Sequence, residues 1–225
     1  MTRDIVVFGA GKIAQVASSY IATDPDVSII GYTCDAEHVD ADTFEGLPLV
    51  AFEEVAERFP PDRAEMFIAL GYQDMNDLRA ARLAAARDLG YRPATFVHPA
   101  VELTPDISIG AGSFITSSVV IQPRVDIGEN VFVFGGAVIG HHSTIGDNCW
   151  ITSHASILGV CTVGPNGFFA ANATIGNGLT LGRRCFIGAN ALVTKDLDDG
   201  SVVVSGPSEV LRVNSDQFLR FSRFT

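Results

Sequence analysis

Basic residues are in short supply in this chain of 225 residues: 15 Lys and Arg stand against 26 Asp and Glu, a net charge of −11. The deficit is deepest at the front, where residues 1–95 hold 16 acids and 8 bases, against 10 and 7 in residues 96–225. No stretch supplies the cationic footprint that a nucleic acid or an anionic membrane needs, so neither is an expected partner. A phosphorylated ligand held by backbone N–H groups stays open, because that grip needs no side-chain charge. Long apolar runs are missing too. Nothing approaches the ~20 residues of a membrane span, and the opening MTRDIVVFGAGKIAQ interrupts its apolar run too early for a signal peptide. The 4 cysteines have no CxxC spacing, which without a secretory leader points to the reducing cytoplasm.

What is present is a globular composition, 47% hydrophobic and 18% charged, written in two different periods. Up to about residue 95, strands alternate with helices. DIVVF (4–8), VSIIGYTCD (27–35), LVAF (49–52) and MFIALGY (66–72) read as strands. GAGKIAQVASSYIA, FEEVAERF and DMNDLRAARLAAARDLG read as helices, the last ended by Gly90, and ATFV (94–97) closes the unit. This predicts an α/β unit with a small, Rossmann-like parallel sheet.

From Val97 the period becomes six. Every sixth residue from Val97 to Val193 is large and apolar without a slip, and four residues after each sits a mostly small or apolar one. This is a hexapeptide repeat, the pattern of a parallel β-helix with one hexad per side of each coil. Cys149, Cys161 and Cys185 fall at the small position and read as inward corner-fillers with no chemical role. With three hexads per coil, residues 18 apart stack. Phe114, Phe132, Trp150, Phe168 and Phe186 then form one aromatic ladder, expected to pack against another subunit.

Seventeen unbroken hexads behind an incomplete nucleotide-type unit, with FGAGKIAQ (8–15), IALG (68–71), FVHPAV (96–101), VIGHHSTIGDN (138–148), FIGANALVTKDL (186–197) and VVSGPSEVLR (203–212), carry a family resemblance. The chain resembles hexapeptide-repeat sugar acyltransferases of the NeuD/PglD kind, which include perosamine N-acetyltransferases. The resemblance implies a left-handed β-helix, an exception to the usual right-handed crossover. It also implies a homotrimer, with acetyl-CoA bound between subunits and no metal. The two units are expected over residues 1–95, holding the nucleotide sugar, and 96–225, the acyltransferase domain with an extension from about residue 200.

Acyl transfer from a thioester needs a proton acceptor for the nucleophile, N–H donors for the oxyanion, and both substrates held together. His141, two places after Ile139, matches the family's catalytic histidine and suits the first task. Gly159, one coil later, inherits the oxyanion contact. His142 stands where relatives often carry an acidic helper, so it is either a partner of His141 or a bystander. Trp150 replaces a histidine that several relatives place near the thioester. The resemblance assigns CoA contacts to Gly159, Ala171, Asn172, Gly188 and Ala189. His154 starts a polar column with Asn172 and Asn190, and lines the same cleft if a trimer sets that side against a neighbour's His141.

In the front unit, Gly9-x-Gly11-x-x-Ala14 follows a strand and opens a helix, a turn that offers free N–H groups to a phosphate. Asp35 ends the next strand, where it is placed to hold a ribose or base, and Gly71 lies at the same crevice. The leading expectation is acetyl transfer to the amine of a nucleotide-linked amino sugar, with O-acetylation of a sugar or sialic acid as the alternative. A zinc enzyme of the γ-carbonic anhydrase type would need His141, His142 and His154 as ligands, but that family's histidines stand five apart and position 146 is Gly. A non-catalytic sugar-nucleotide-binding protein is the remaining reading.

Overall fold

The computed structural model describes residues 2–222. Met1 and residues 223–225, the end of the expected extension, lie outside the described residues. The front unit comprises β1 (Arg3–Phe8), α1 (Lys12–Ile21), β2 (Val27–Cys34), β3 (Thr43–Phe44), β4 (Leu47–Ala51), α2 (Val55–Arg58), β5 (Glu65–Ile68), α3 (Asp77–Asp88) and β6 (Arg92–Pro93). The strands form one sheet in the order β3-β4-β2-β1-β5-β6. All its pairings are parallel except the β3–β4 hairpin. Ile5, Val6, Val7 and Phe8 of β1 are buried on both faces, which is why this strand reads as a continuous apolar run.

Among the boundaries that differ from the sequence expectation, two bear on how the units join. ATFV does not close the sheet: Arg92–Pro93 pairs with β5, whereas Phe96–Val97 pairs with Phe114–Ile115 and starts the coils. The last helix begins at Asp77 rather than Asp74, because Asp74, Met75 and Asn76 all adopt positive φ (51°, 53° and 71°). That loop is pinned from outside, as described below.

From Phe96 the chain winds into a left-handed parallel β-helix of two-residue strands, stacked in three sheets. The first face carries Phe96, Phe114, Phe132, Trp150, Phe168 and Phe186, and the second Val120, Val138, Ser156, Thr174 and Leu192. The third carries Ser108, Asp126, Thr144, Thr162 and Thr180. The hexad positions from Ile115 to Val193 are all buried in one core with the small corner residues. Leu103 departs from the pattern and is 45% exposed. Pro99 and Pro105 flank it, and neither can donate to a ladder hydrogen bond.

Every sixth residue from Gly112 to Asn190 takes positive φ, so each corner turns through a left-handed residue. Asn, which tolerates that region, fills the corner at 130, 148, 166, 172 and 190. Gly128, Gly146 and Gly164 precede corners where a Cβ would fall 2.3–2.8 Å from atoms of the next coil, so only glycine lets the coils close up there.

The aromatic ladder is not a subunit surface. Phe114, Phe132, Trp150 and Phe168 are buried within the chain, in one core with α1 and the front sheet. Phe67 of β5 stacks on Phe132 at 5.7 Å, Tyr20 meets Phe114 at 6.0 Å, and Tyr72 lies 4.5 Å from Phe168. The six-residue period showed that the ladder existed. It carried no information about which apolar surface covers it.

Arg79 of α3 locks this seam. Its guanidinium is fully buried and donates to Asn130 Oδ1 (3.2 Å), Asn130 O (3.1 Å), Asn148 O (2.8 Å), Asn76 Oδ1 (2.8 Å) and Gly71 O (3.3 Å). It also lies over the rings of Phe132 (4.5 Å) and Trp150 (5.3 Å). Burial pulls its pKa down to about 9, which leaves it charged at neutral pH. Asn166 donates to Met75 O (3.0 Å) and Asp77 Oδ1 (2.8 Å), and Arg184 pairs with Asp77. These bonds hold residues 74–76 in their left-handed conformation.

Candidate functional site

The expected site residues fall in two places. His141 and His142 turn the corner between the second and third faces, on the side of the prism opposite the aromatic ladder. Both are exposed. Left-handed backbone at His142 (φ 59°) swings its ring beside that of His141. The rings are perpendicular, with Nδ1 3.0 Å from Nδ1. His142 is therefore in direct contact with His141. The His141 backbone N–H donates to Gln122 Oε1 (2.9 Å), and its carbonyl accepts from Val160 N–H (2.8 Å), so coils on both sides fix the residue.

Gly159 lies one coil above. A Cβ there would sit 2.8 Å from His141 Nε2 and Cε1, and 3.1 Å from Asn177 Oδ1. The imidazole edge thus rests in the space that glycine leaves open. The Gly159 N–H donates to no group among the described residues. Gly140 beneath it is equally constrained, since a Cβ there would reach 2.3 Å from the Gly159 nitrogen. Gln122, Asn177 and Arg124, whose Nη1 is 3.4 Å from His142 Nε2, complete the corner. Sequence reasoning passed over these three, although the 18-residue stacking rule that paired His141 with Gly159 also selects Asn177 and Arg124.

The remaining expected residues occupy other corners. Ala171, Asn172, Gly188 and Ala189 lie at the corner between the first and second faces, a whole face away from Gly159. His154 joins them there with its ring over Gly136, whose Cβ would touch it at 2.3 Å. Asn172 Nδ2 donates to Asn190 Oδ1 at 3.3 Å, so the polar column forms. One chain does not bring His141, His142 and His154 together, and the described residues contain no cluster of three metal-ligating side chains. Trp150 is 4% exposed and wedged between Phe132, Phe134 and Tyr72. It belongs to the seam. Burial pushes the Cys149 thiol up to about 12 and also raises Cys185, consistent with inert core residues.

The second place is the crevice of the front unit. Gly9, Gly11 and Asp35 line a cavity of about 320 Å³ with Cys34, His38 and Gln73. Gly71 joins Gly9, Gly11 and Lys12 around an adjoining hollow of about 190 Å³. Gly9 has φ 128° and no room for a Cβ, which would meet Ala69 O at 2.8 Å, so the turn is obligatory there. The N-terminus of α1 at Gly11 has no side-chain cap, which leaves its N–H groups to face the crevice. Asp35 pairs with Arg82 of α3 at 2.8 Å, so only part of its carboxylate is free for a ligand. The Arg82 Nε has no partner among the described residues. His38, Gln73 and Arg82 were not legible from spacing, since they reach the crevice from three separate elements.

This geometry defines a class: a two-part chain with a glycine-turn crevice on an α/β sheet and an exposed histidine corner on a β-helix. No protein-family model matches the sequence, and no curated protein matches it. Solved structures do match. The acetyltransferase domain of PglB from Neisseria gonorrhoeae superposes with a TM-score of 0.80 at 22% identity, over 93% of this chain and 100% of that one. PerB from Caulobacter crescentus, in complex with CoA and GDP-perosamine, gives 0.79 at 23% identity, over 90% and 97%. WeeI from Acinetobacter baumannii gives 0.55 at 19%, over 93% and 100%. The chain shares their fold along nearly its whole length. No helix among the described residues is long and apolar enough to cross a membrane.

Proposed function

We propose that this protein is an acetyl-CoA-dependent acetyltransferase acting on the amine of a nucleotide-linked amino sugar, held in the Gly9–Gly11–Asp35–Gly71 crevice. The observation that carries the reading is His141 Nε2 at the open face of Gly159, whose N–H is unpaired among the described residues. His141 removes a proton from the sugar amine as its nitrogen attacks the thioester carbonyl carbon. The tetrahedral oxyanion accepts from the Gly159 N–H. Collapse forms the amide and expels the CoA thiolate, which takes up the proton from His141. His142 holds the His141 ring. The CoA and GDP-perosamine bound to PerB support both substrate classes.

The front unit that carries the crevice packs on the ladder face, and His141 stands at the opposite corner, which supports a site shared between copies. In this reading the site is completed by a partner copy in a homotrimer. This also brings the Ala171–Asn172–Gly188–Ala189 corner and His154 of one copy to Gly159 of the next, with CoA between them. Such an enzyme works where acetyl-CoA and nucleotide sugars are made, in the cytoplasm.

The test is release of free CoA from acetyl-CoA in the presence of UDP-, dTDP- and GDP-linked amino sugars, with the product analysed for an amide or an ester. His141→Asn should keep the fold and lose about 10²- to 10⁴-fold in turnover, the usual worth of a general base. Near-wild-type turnover in that variant rules out this role for His141. An ester product selects O-acetylation, and binding without turnover selects the non-catalytic alternative.

A further inference from the structure

His141 touches a second histidine, and this leaves a question that a carboxylate would not. A carboxylate only accepts hydrogen bonds, so beside a histidine it fixes the proton on the nitrogen facing it. An imidazole either donates or accepts at a given nitrogen. The choice then passes to whatever meets the far side of His142.

That group is Arg124, one coil earlier in the same column of left-handed corner residues. Its Nη1 is 3.4 Å from His142 Nε2, and its Nε is 3.9 Å from Asp106 Oδ2, one coil earlier again. The Thr104 hydroxyl donates to Asp106 (2.5 Å) and holds its carboxyl below the ordinary value, with Arg124 adding a smaller share. Asp106 is thus a standing anionic partner for the arginine.

A guanidinium has donors only. It can approach His142 Nε2 only if that nitrogen carries a lone pair, which puts the His142 proton on Nδ1. That Nδ1–H then donates across the 3.0 Å contact to His141 Nδ1. His141 consequently carries its own proton on Nε2, the nitrogen at the open face of Gly159. In this tautomer His141 offers an N–H and accepts nothing there. The reverse tautomer would set a His142 N–H against an Arg124 N–H.

We propose that Arg124 is a positioning residue: by donating to His142 it sets the tautomer of His141, holding the base mainly in its non-accepting form, while Asp106 competes for the same guanidinium. The effect on turnover rests on the acetyl-transfer reading above, whereas the tautomer is a property of the free protein.

The experiment is long-range ¹H–¹⁵N correlation on ¹⁵N-histidine-labelled protein without substrates, at a pH where both rings are neutral. Resonances are assigned with His141→Asn and His142→Asn. Wild-type His141 should be mainly protonated on Nε2. Arg124→Met should shift the ratio toward Nδ1–H by roughly fivefold, the weight of one net hydrogen bond, and Asp106→Asn should move it the other way. Both side chains are largely exposed, at 69% and 45%, so neither change disturbs the core. With an acceptor sugar in turnover, Arg124→Met should raise kcat and leave both KM values unchanged.

Wild-type His141 already carrying Nδ1–H, or a ratio that Arg124→Met leaves unmoved, overturns the proposal. So does an unchanged kcat beside a shifted tautomer. If the tautomer shifts as expected but no sugar nucleotide is acetylated, the functional reading fails and the assignment of Arg124 stands.

Discussion

At the residue scale, the corner of His141 depends on what is left out as much as on what is present. Gly159→Ala would drive a methyl to 2.8 Å from the imidazole. The ring must move away while the coil keeps its shape. We expect at least about tenfold loss of turnover, since misplacing a reacting group by an ångström is already costly, with an unchanged unfolding midpoint. Full activity would show that His141 is not needed where it stands. The neighbouring Val160 is the one β-branched residue among the left-handed corners, at φ 61° and 52% exposed. Left-handed backbone costs a β-branched residue about 1–2 kcal/mol, and the exposed side chain recovers little of this by packing. Val160→Asn, the residue that five other corners carry, should therefore stabilise the protein by about 1 kcal/mol. That corresponds to a rise of roughly 2–4 °C in Tm for a chain of this size. A fall in Tm would mean that Val160 is held by a contact absent from the single chain.

At the element scale, the seam between the front sheet and the first face is built from aromatic rings, with the buried Arg79 at its centre. Truncating Arg79 to Ala removes donors from Asn130 O, Asn148 O and Gly71 O and opens a cavity beneath α3. The combined loss should be on the order of 3–5 kcal/mol. Trp150, the single tryptophan, lies 5.3 Å from the guanidinium, so its fluorescence in a denaturant titration reports the seam directly. A loss below about 1 kcal/mol would show that the aromatic stacking and the other bonds across the seam hold it without Arg79. The legibility of these elements in the sequence differs for a physical reason. A β-helix buries residues at a fixed interval, so its core, its corners and the His141–Gly159 contact follow from counting in sixes and eighteens. Arg79 instead meets partners 51 and 69 residues away on another unit, and nothing in its helix, LRAARLAAAR, sets it apart from Arg82 or Arg87. The same limit explains why the ladder was assigned to a subunit contact: burial of an apolar ridge follows from its size, but its partner depends on how the two units dock.

At the scale of the whole molecule, the front unit with its crevice packs on the ladder face, and the histidine corner lies between the other two faces. A trimeric enzyme with shared sites predicts complementation between defective chains. Chains carrying His141→Asn, and chains carrying Gly11→Asp to repel a phosphate from the crevice, should each be inactive alone. Co-assembled in equal amounts, they should recover activity in about a quarter of the sites, those that take both intact halves from different copies. No recovery in mixed assemblies, with both variants folded and trimeric, would place the whole reaction within one chain.

By itself the sequence determined the two periods, the parallel β-helix with its inward residues, the glycine turn of the crevice and the pairing of His141 with Gly159. All of these are set by local spacing along a regular backbone. Only the tertiary structure decided that the aromatic ladder closes against the chain's own sheet and that Arg79 fastens the seam. It alone placed Asp35 against Arg82 and His142 between His141 and Arg124. Each of these depends on how side chains from separate elements meet in space, where the free energy of docking and hydrogen bonding chooses among partners that spacing alone leaves equivalent.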